Sequence, residues 1–229
     1  MLKLMPLLLA LLYGVAMYRV SAWRTRKELD SKSTVLDDPE LARVTDRLAA
    51  ALEIPRVRVD IFEVDPVNAL AAPDGRVFVT RGMIERYQRG DILPEEIASV
   101  IAHELGHVAL GHTRRRMIDF SGQNALRTAL GAMLSRFLPG IGGLIAGLMT
   151  RVLAAHLSRA DEYEADEYAS ALMVKAGYGT GPQKDLFAKL DQMTGAHGAA
   201  GVAWLMSHPK SRDRIARIQQ NERKWGISG

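Results

Sequence analysis

Hydrophobic residues recur every three or four positions in two segments of the chain, a spacing that predicts amphipathic helices. The first segment covers residues 39–52, and its apolar positions are Leu41, Val44, Leu48 and Leu52. The second begins at Pro94-Glu95-Glu96, which is typical of a helix start because proline comes early and acids occupy the first turn. Its apolar positions are Ile97, Val100, Ile101, Leu105 and Val108. Further helices are predicted over residues 162–176, 182–193 and 209–224, the first of which ends at Gly177.

Period-two alternation and turn residues predict a small sheet beside these helices. Residues 57–64 alternate between apolar and polar side chains, as a strand does. Pro73-Asp74-Gly75 is a turn sequence between two more short strands. The second of these, residues 76–80, is predicted to lie at the edge of the sheet. A small sheet over a mostly helical body is an α+β fold.

The N-terminus carries an apolar run over residues 4–18, which continues to Val20 across Arg19. This length just reaches a transmembrane helix, so residues 1–23 are predicted to be an uncleaved anchor and residues 24–38 a polar linker. Basic residues follow the run, which by the positive-inside rule places the remaining domain in the cytoplasm. The alternative is a signal peptide cleaved after Val20-Ser21-Ala22, with the domain in the periplasm. The anchored interpretation predicts a single-pass protein of a bacterial-type inner membrane.

A second apolar region, residues 122–157, is rich in glycine and small residues. Its longest uncharged run, residues 137–150, is too short to span a bilayer. Two interpretations remain open. The region is an inserted helical hairpin that covers the site or dips into the membrane interface, or it is a pair of helices packed on the core of a domain over residues 39–229.

Composition narrows the range of partners and ligands. The net charge is +4, and Arg114-Arg115-Arg116 is the densest basic run. Nucleic acid is not expected as a partner, because no aromatic platform or binding motif accompanies this charge. The basic residues are better explained by contact with an anionic membrane surface, or by an ordinary protein surface that faces water. The absence of cysteine excludes disulfides and thiolate metal ligands.

The helix that begins at residue 94 contains His103-Glu104-Leu105-Gly106-His107, an H-E-x-x-H sequence. Residues four apart share a helix face, so both imidazoles can bind one metal ion, while Glu104 can take a proton from a metal-bound water. A helix with two ordinary histidines is the alternative. Catalytic zinc needs a third protein ligand, which His112, His156, His197, His208 or the acidic segment 161–167 could supply.

Within the acidic segment, Glu162 and Asp166 are four residues apart and share a helix face. A glutamate there can bind the metal, while the aspartate accepts the N–H of a ligand histidine. A solvated acidic helix face is the alternative. His112 lies about 140° around an ideal helix from His107, so we do not expect it to face the same metal.

Four stretches together resemble the membrane-associated zinc metallopeptidases of the HtpX and CAAX prenyl endopeptidase type. The H-E-L-G-H sequence is followed by Ser158-Arg159-x-x-Glu162-x-x-Ala165-Asp166. Residues 68–71 through 77–82 are similar to the family's hairpin above the catalytic helix. Ser207-His208-Pro209 with Arg214-Ile215 is similar to its C-terminal element. The resemblance covers about residues 60–215 and implies a zincin-like (gluzincin) domain.

The resemblance also implies roles for individual residues. His103, His107 and Glu162 would bind one Zn²⁺ per chain, Glu104 would be the general base, and Asp166 would support a ligand histidine. His208 would lie near the open side of the metal, where it could steady the oxyanion or occupy the fourth position at rest. A capping residue beside Pro209 is the alternative for His208. Asn68 and Ala69 are the predicted substrate-binding residues, since enzymes of this kind bind peptide by strand addition; a plain structural hairpin is the alternative.

The predicted function is zinc-dependent endoproteolysis of membrane-associated or misfolded proteins, with polypeptides and the membrane as partners. A non-catalytic, chaperone-like zinc-binding module with a membrane anchor is the alternative. Glu104 favours the enzyme, because a purely structural zinc site has no need of a base. Prenyl-protein processing is the second substrate class, although the enzyme that does it has many transmembrane helices and this chain has one clear span.

Overall fold

The computed structural model of the chain describes residues 5–72, 74–112, 142–197, 208 and 211–227. Two features of the sequence lie outside these ranges. They are the basic run Arg114-Arg115-Arg116 and residues 122–141, which make up most of the predicted apolar insertion. Seven helices and four strands lie within them. In chain order they are α1 (Met5–Ser31), β1 (Ser33–Val35), α2 (Pro39–Leu52), β2 (Val59–Phe62), β3 (Ala69–Ala71), β4 (Val77–Thr80), α3 (Arg81–Gln88), α4 (Pro94–Ala109), α5 (Gly142–Lys175), α6 (Gly181–His197) and α7 (Ser211–Trp225).

The strands form one mixed sheet in the order β1-β2-β4-β3. β1 and β2 are antiparallel, β2 and β4 are parallel, and β4 and β3 are antiparallel. The mostly helical fold with its small sheet confirms the α+β class.

The prediction that residues 76–80 form an edge strand is wrong, because β4 has a partner strand on each side. All four residues of β4 are buried, as in a central strand covered on both faces. Among the described strands, β1 and β3 form the two edges of the sheet. The free edge near the hairpin is therefore β3, which contains the predicted substrate-binding residue Ala69.

α2 has the predicted bounds, and its N-terminus is capped by the Asp38 carboxylate, which accepts the backbone N–H groups of Glu40 and Leu41. Its apolar face packs into the core, where Leu41 and Leu48 are fully buried. Burial of each of these leucines contributes about 1.5–3 kcal/mol.

α4 runs through the middle of the domain, and nearly all of it is buried. Its first turn is fixed by Glu96, whose carboxylate accepts the backbone N–H of Leu93 and the ammonium of Lys189 from α6. α4 packs against α2, α5 and α6 and against the sheet. This position holds the H-E-x-x-H sequence rigidly in the core.

α5 is longer than predicted, since it starts at Gly142 and not at residue 162. Residues 142–157, assigned to the insertion, are the first half of this helix. It ends at Lys175, and Gly177 follows with a φ of 82°, as the predicted C-cap requires.

The N-terminal segment is helical through Ser31 and joins the domain. Leu29 packs against Ala72 and Phe78, and β1 pairs with β2. The predicted linker, residues 24–38, thus contains the end of α1 and an edge strand of the sheet. Among the described residues, no helix combines the length and the apolarity that crossing a membrane requires.

Candidate metal centre

Two helices and the C-terminal segment bring four metal-binding side chains together. His103 and His107 come from α4 and Glu162 from α5, and His208 precedes α7. All four are buried, and their ligand atoms lie within 4.8 Å of one another. The Nε2 atoms of His103 and His107 are 3.1 Å apart and lie 3.4 and 3.5 Å from the Glu162 carboxylate oxygens.

His208 completes this group from the segment before α7. Its Nδ1 hydrogen-bonds to Glu162 and lies 3.3 Å from Nε2 of His103. Its burial is what lowers the pKa of His208 below the ordinary histidine value, against the attraction of the Glu162 carboxylate. The ring therefore belongs to the buried cluster rather than to a surface helix cap.

The outer nitrogen of His103 meets a second carboxylate. Its Nδ1 lies 3.0 Å from Oδ1 of Asp166, and both side chains are almost completely buried. Burial and the nearby Arg214 guanidinium lower the pKa of His103, but its hydrogen bonds to Asp166 and Glu162 outweigh them and raise it to about 9. The ring thus lies between two carboxylates, an environment that stabilises positive charge.

Arg214, from α7, holds Asp166 in place. Its Nε and Nη2 both donate to the Asp166 carboxylate at 2.6 Å, and its Nη1 donates to the His208 carbonyl oxygen at 3.3 Å. The guanidinium is fully buried and stacks on the Phe187 ring with a centroid distance of 4.3 Å. Burial raises the pKa of the Asp166 carboxyl, but Arg214 and His103 together lower it more and keep it below its ordinary range.

The carboxylate of Glu104 is arranged differently from the other acids of the centre. Its Oε1 is buried and has no hydrogen-bond partner among the described residues. Nε2 of His208 lies 3.6 Å from this oxygen. A buried, unsatisfied carboxylate oxygen is costly unless a water or ligand approaches it. Two imidazoles and a carboxylate are also a donor set that zinc accepts, so these residues fit a zinc ion with an open position beside Glu104.

The predicted substrate-binding residues lie at the sheet edge above α4. Asn68 precedes β3, and its carbonyl oxygen accepts the backbone N–H of Thr80 in β4, while Ala72 donates to Arg76. By antiparallel alternation, Ala69 and Ala71 direct their backbone groups outward, where no described strand pairs with them. The Asn68 side chain accepts the Ala69 N–H at 2.9 Å, so one outward donor is already occupied.

Two residues that sequence reasoning left without a role are parts of this centre. Arg214 was noted only as part of the C-terminal resemblance, with no role of its own, and its burial follows from the placement of α7. His112 was expected to face away from the metal, because the 140° angle between it and His107 assumes that the helix continues to residue 112. α4 instead ends at Ala109, and Gly111 with a φ of 71° turns the chain so that His112 lies under His107.

Comparison with known proteins agrees with this geometry. A family model described as "Peptidase family M48" matches residues 35–222. The Metalloprotease LoiP of Escherichia coli (strain K12) is 27% identical over 214 residues, which cover 88% of this chain and 79% of the relative. Protease HtpX of Stutzerimonas stutzeri (strain A1501) is 26% identical over 240 residues, covering 88% and 80%. Metalloprotease YcaL of Escherichia coli (strain K12) is 29% identical over 185 residues, covering 78% and 67%. The chain therefore belongs to peptidase family M48 and is a zinc-dependent metalloendopeptidase.

Proposed function

We propose that this metallopeptidase cleaves membrane-associated or misfolded proteins, with His103, His107 and Glu162 as the protein ligands of one zinc ion and Glu104 as general base. The observation that carries the assignment is the buried cluster of ligand atoms beside the unpartnered Oε1 of Glu104. Bound zinc supplies Lewis acidity, which lowers the pKa of water and polarises a substrate carbonyl.

Glu104 performs the proton transfers. Its Oε1 has no hydrogen-bond partner among the described residues, so this oxygen can accept the proton of the attacking water. It then delivers this proton to the amide nitrogen of the leaving product. Because the group is fixed on a buried helix, little reorganisation precedes the transfer.

His208 serves the open side of the centre. Its place beside Glu162 and Glu104 supports a role at the fourth position at rest and as a hydrogen-bond donor to the substrate carbonyl oxygen during hydrolysis. A lowered pKa suits both roles, since the neutral ring has one lone pair and one N–H.

The outer edge of β3 binds the substrate main chain. A strand added there would pair with Ala69 and Ala71 and lie above α4, which packs against β3. Recognition through backbone groups tolerates many side-chain sequences, as cleavage of misfolded proteins requires. The Asn68 side chain would leave the Ala69 N–H when the substrate strand pairs.

Residues 1–23 anchor the enzyme as a single span in a bacterial-type inner membrane. The apolar run at the start of α1 and the basic residues after it support this placement. The cytoplasmic side follows from the same charges if the segment is retained, and the periplasmic side if it is cleaved. An anchored protease would meet membrane proteins first.

The test is Glu104→Gln, with Glu95→Gln, at a half-buried position in the first turn of the same helix, as control. Casein hydrolysis should fall about 10²- to 10⁴-fold in Glu104→Gln, because an amide cannot act as a base. Zinc content measured on the same preparation should stay at one per chain. Substantial hydrolysis by zinc-loaded Glu104→Gln would refute the role of Glu104.

The substrate class is tested separately by proteomics of membrane fractions. Cells that produce Glu104→Gln should accumulate membrane or misfolded proteins that cells with the wild-type enzyme remove. Accumulation confined to soluble, folded proteins would contradict the proposed substrates while leaving the peptidase activity intact.

A further inference from the structure

We infer that His112, oriented by Glu164, is a positioning residue that fixes the ring orientation and tautomer of His107. The inference rests on the proposed role of His107 as a zinc ligand. Neither His112 nor Glu164 takes part in the proton transfers assigned to Glu104.

The contacts form a continuous chain of hydrogen bonds. Nδ1 of His107 lies 3.0 Å from Nδ1 of His112. Nε2 of His112 lies 3.1 Å from Oε2 of Glu164 and 3.7 Å from Oδ1 of Asp161. His112 is completely buried, whereas the Glu164 side chain is 56% exposed. The chain thus runs from the metal cluster to the surface.

Hydrogen-bond chemistry sets the direction of this chain. Two facing nitrogens form a hydrogen bond only if one carries the proton and the other offers its lone pair. Nε2 of His112 faces two carboxylates, so it carries a proton, and a neutral His112 must then accept at Nδ1. His107 therefore donates from Nδ1, which leaves the lone pair on its Nε2, the atom that faces His103 and Glu162. This is the tautomer that can bind a metal through Nε2.

The same three side chains, His112, Asp161 and Glu164, could also hold a metal of their own. A metal there would take the Nε2 lone pair of His112 and move its proton to Nδ1. His112 would then donate to His107, and His107 would carry its proton on Nε2 and could not bind the metal of the main cluster. The shared hydrogen bond therefore makes the two sites incompatible, and the buried cluster has the better donor set.

His112 is the outer hydrogen-bond partner of His107, as Asp166 is the outer hydrogen-bond partner of His103. Each proposed ligand histidine directs Nε2 to the centre and Nδ1 to an outer partner. The outer partner of His103 is a carboxylate neutralised by Arg214, and that of His107 is an imidazole held by a carboxylate. Loss of such outer partners costs metal affinity about 10- to 100-fold.

The experiment compares His112→Leu with His112→Asn in the full-length protein. Leucine fills the space without an acceptor, whereas the asparagine amide oxygen occupies the position of Nδ1 and can accept from His107. Zinc affinity, measured by competition with a chelator, should fall about 10- to 100-fold in His112→Leu and stay close to wild type in His112→Asn. The melting temperature of the zinc-free proteins shows whether each variant folds.

A double-mutant cycle separates positioning from general stability. Glu164→Ala should weaken zinc binding in the wild-type background. It should have no further effect in His112→Asn, which lacks an N–H directed at Glu164. Glu167→Ala, which removes another carboxylate from α5, is the control and should leave zinc affinity unchanged. A ¹⁵N NMR spectrum of the zinc-loaded enzyme should show His107 protonated at Nδ1.

Three results would overturn the inference. One is unchanged zinc affinity in folded His112→Leu, and another is an equal effect of Glu164→Ala in both backgrounds. The third is a second zinc ion bound by the wild type and lost in His112→Asn. His107→Ala distinguishes these from failure of the proposed ligand set. If His107→Ala loses zinc while His112→Leu keeps it, only the positioning role falls; if both keep it, the ligand assignment is wrong.

Discussion

The Asp166–Arg214 ion pair shows how much of the centre depends on single buried charges. Neither charge is exposed, and each satisfies the other through two hydrogen bonds of 2.6 Å. Such a pair contributes little relative to apolar side chains of equal size, but removing one partner leaves an uncompensated buried charge. The chief effect of the pair is therefore to hold the Asp166 carboxylate in the orientation in which its Oδ1 faces His103.

We predict that Arg214→Met costs about 3–5 kcal/mol of unfolding free energy, because it leaves the Asp166 carboxylate buried without a cation. Arg214→Lys should fall between Arg214→Met and wild type, since it restores the charge but not the two-pronged geometry. Urea unfolding of the zinc-free proteins measures both. In the double variant with Asp166→Asn the losses should be far from additive; additive losses would show that the two charges do not depend on each other.

The sequence predicted the positions of this centre unevenly, for reasons that lie in chain distance. His103 and His107 are one helical turn apart, so periodicity alone places them together. Glu162 could be singled out only with a second motif, because residues 113–141 and a long stretch of α5 intervene. His208 and Arg214 come from the chain's end, and no local pattern shows that α7 packs beside α5.

The centre depends on the contact between α4 and α5, and Gly106 lies where α4 closely approaches the backbone of α5. A Cβ at Gly106 would lie 3.1 Å from the Ala165 carbonyl oxygen and 3.2 Å from Ala165 Cα and Tyr168. Two of these neighbours are backbone atoms, so they cannot turn aside. A glycine here lets Glu162, one turn before Asp166, reach the imidazoles of α4.

Gly106→Ala should therefore destabilise the protein, although Gly to Ala in a helix interior ordinarily stabilises by about 1 kcal/mol. It should also lower zinc affinity, because the helices must separate by a few tenths of an ångström. Gly181→Ala is the control, since a Cβ there meets no atom within 4 Å. Thermal melting and chelator competition decide it. A rise in melting temperature with unchanged zinc affinity would show that the helix contact has room to spare.

α6 and α7 are a second pair of elements whose contact depends on charge. Glu222 of α7 makes this contact. Its carboxylate accepts from the Lys184 ammonium at 2.6 Å and from the Thr180 hydroxyl. Burial raises the pKa of Glu222, but these two donors and the nearby Arg223 together lower it more, so the folded-state pKa lies below the ordinary value. The ionised form is thus favoured in the folded state.

A group with a depressed folded pKa stabilises the protein above its unfolded pKa and loses this effect as pH falls toward the folded pKa. Glu222→Gln should accordingly melt at a lower temperature than wild type at pH 7. The difference should shrink as pH falls below about 4, near the unfolded pKa of glutamate. Melting curves from pH 7 to pH 3 test this, and a difference that stays constant across that range would exclude the ionic contribution.

For the molecule as a unit, local patterns predicted elements better than their arrangement. The bounds of α2 and the start of α4 follow from spacing and capping, which are local properties. The prediction that β4 is an edge strand was wrong because the order of strands depends on packing between distant segments, which a local pattern does not show. A strand as short as residues 77–80 suits an edge or a central position equally well. The joining of α1 to the domain was missed because it rests on Leu29 and on a three-residue strand.

This attachment decides where the chain can be shortened. A form without residues 1–22 keeps Leu29 and β1, so it should be recovered without detergent, bind one zinc per chain and melt close to the full-length enzyme. A form without residues 1–36 loses Leu29 and the pairing of Ser33–Val35 with β2. β2 then keeps β4 on one side and exposes its other side as a new edge of the sheet. It should melt at a lower temperature and aggregate. Equal melting temperatures of the two forms would show that β1 adds nothing to the fold.

The same material tests the anchor. Full-length protein that retains Met1 in an intact-mass measurement should resist carbonate extraction from membranes, because residues 1–23 then span the bilayer. The form without residues 1–22 serves as the soluble control in that extraction. An intact mass that begins at Trp23 would instead identify a cleaved signal peptide, and the catalytic domain would then act on the far side of the membrane. Carbonate release of uncleaved full-length protein would contradict a spanning helix while leaving the zinc centre and its predictions untouched.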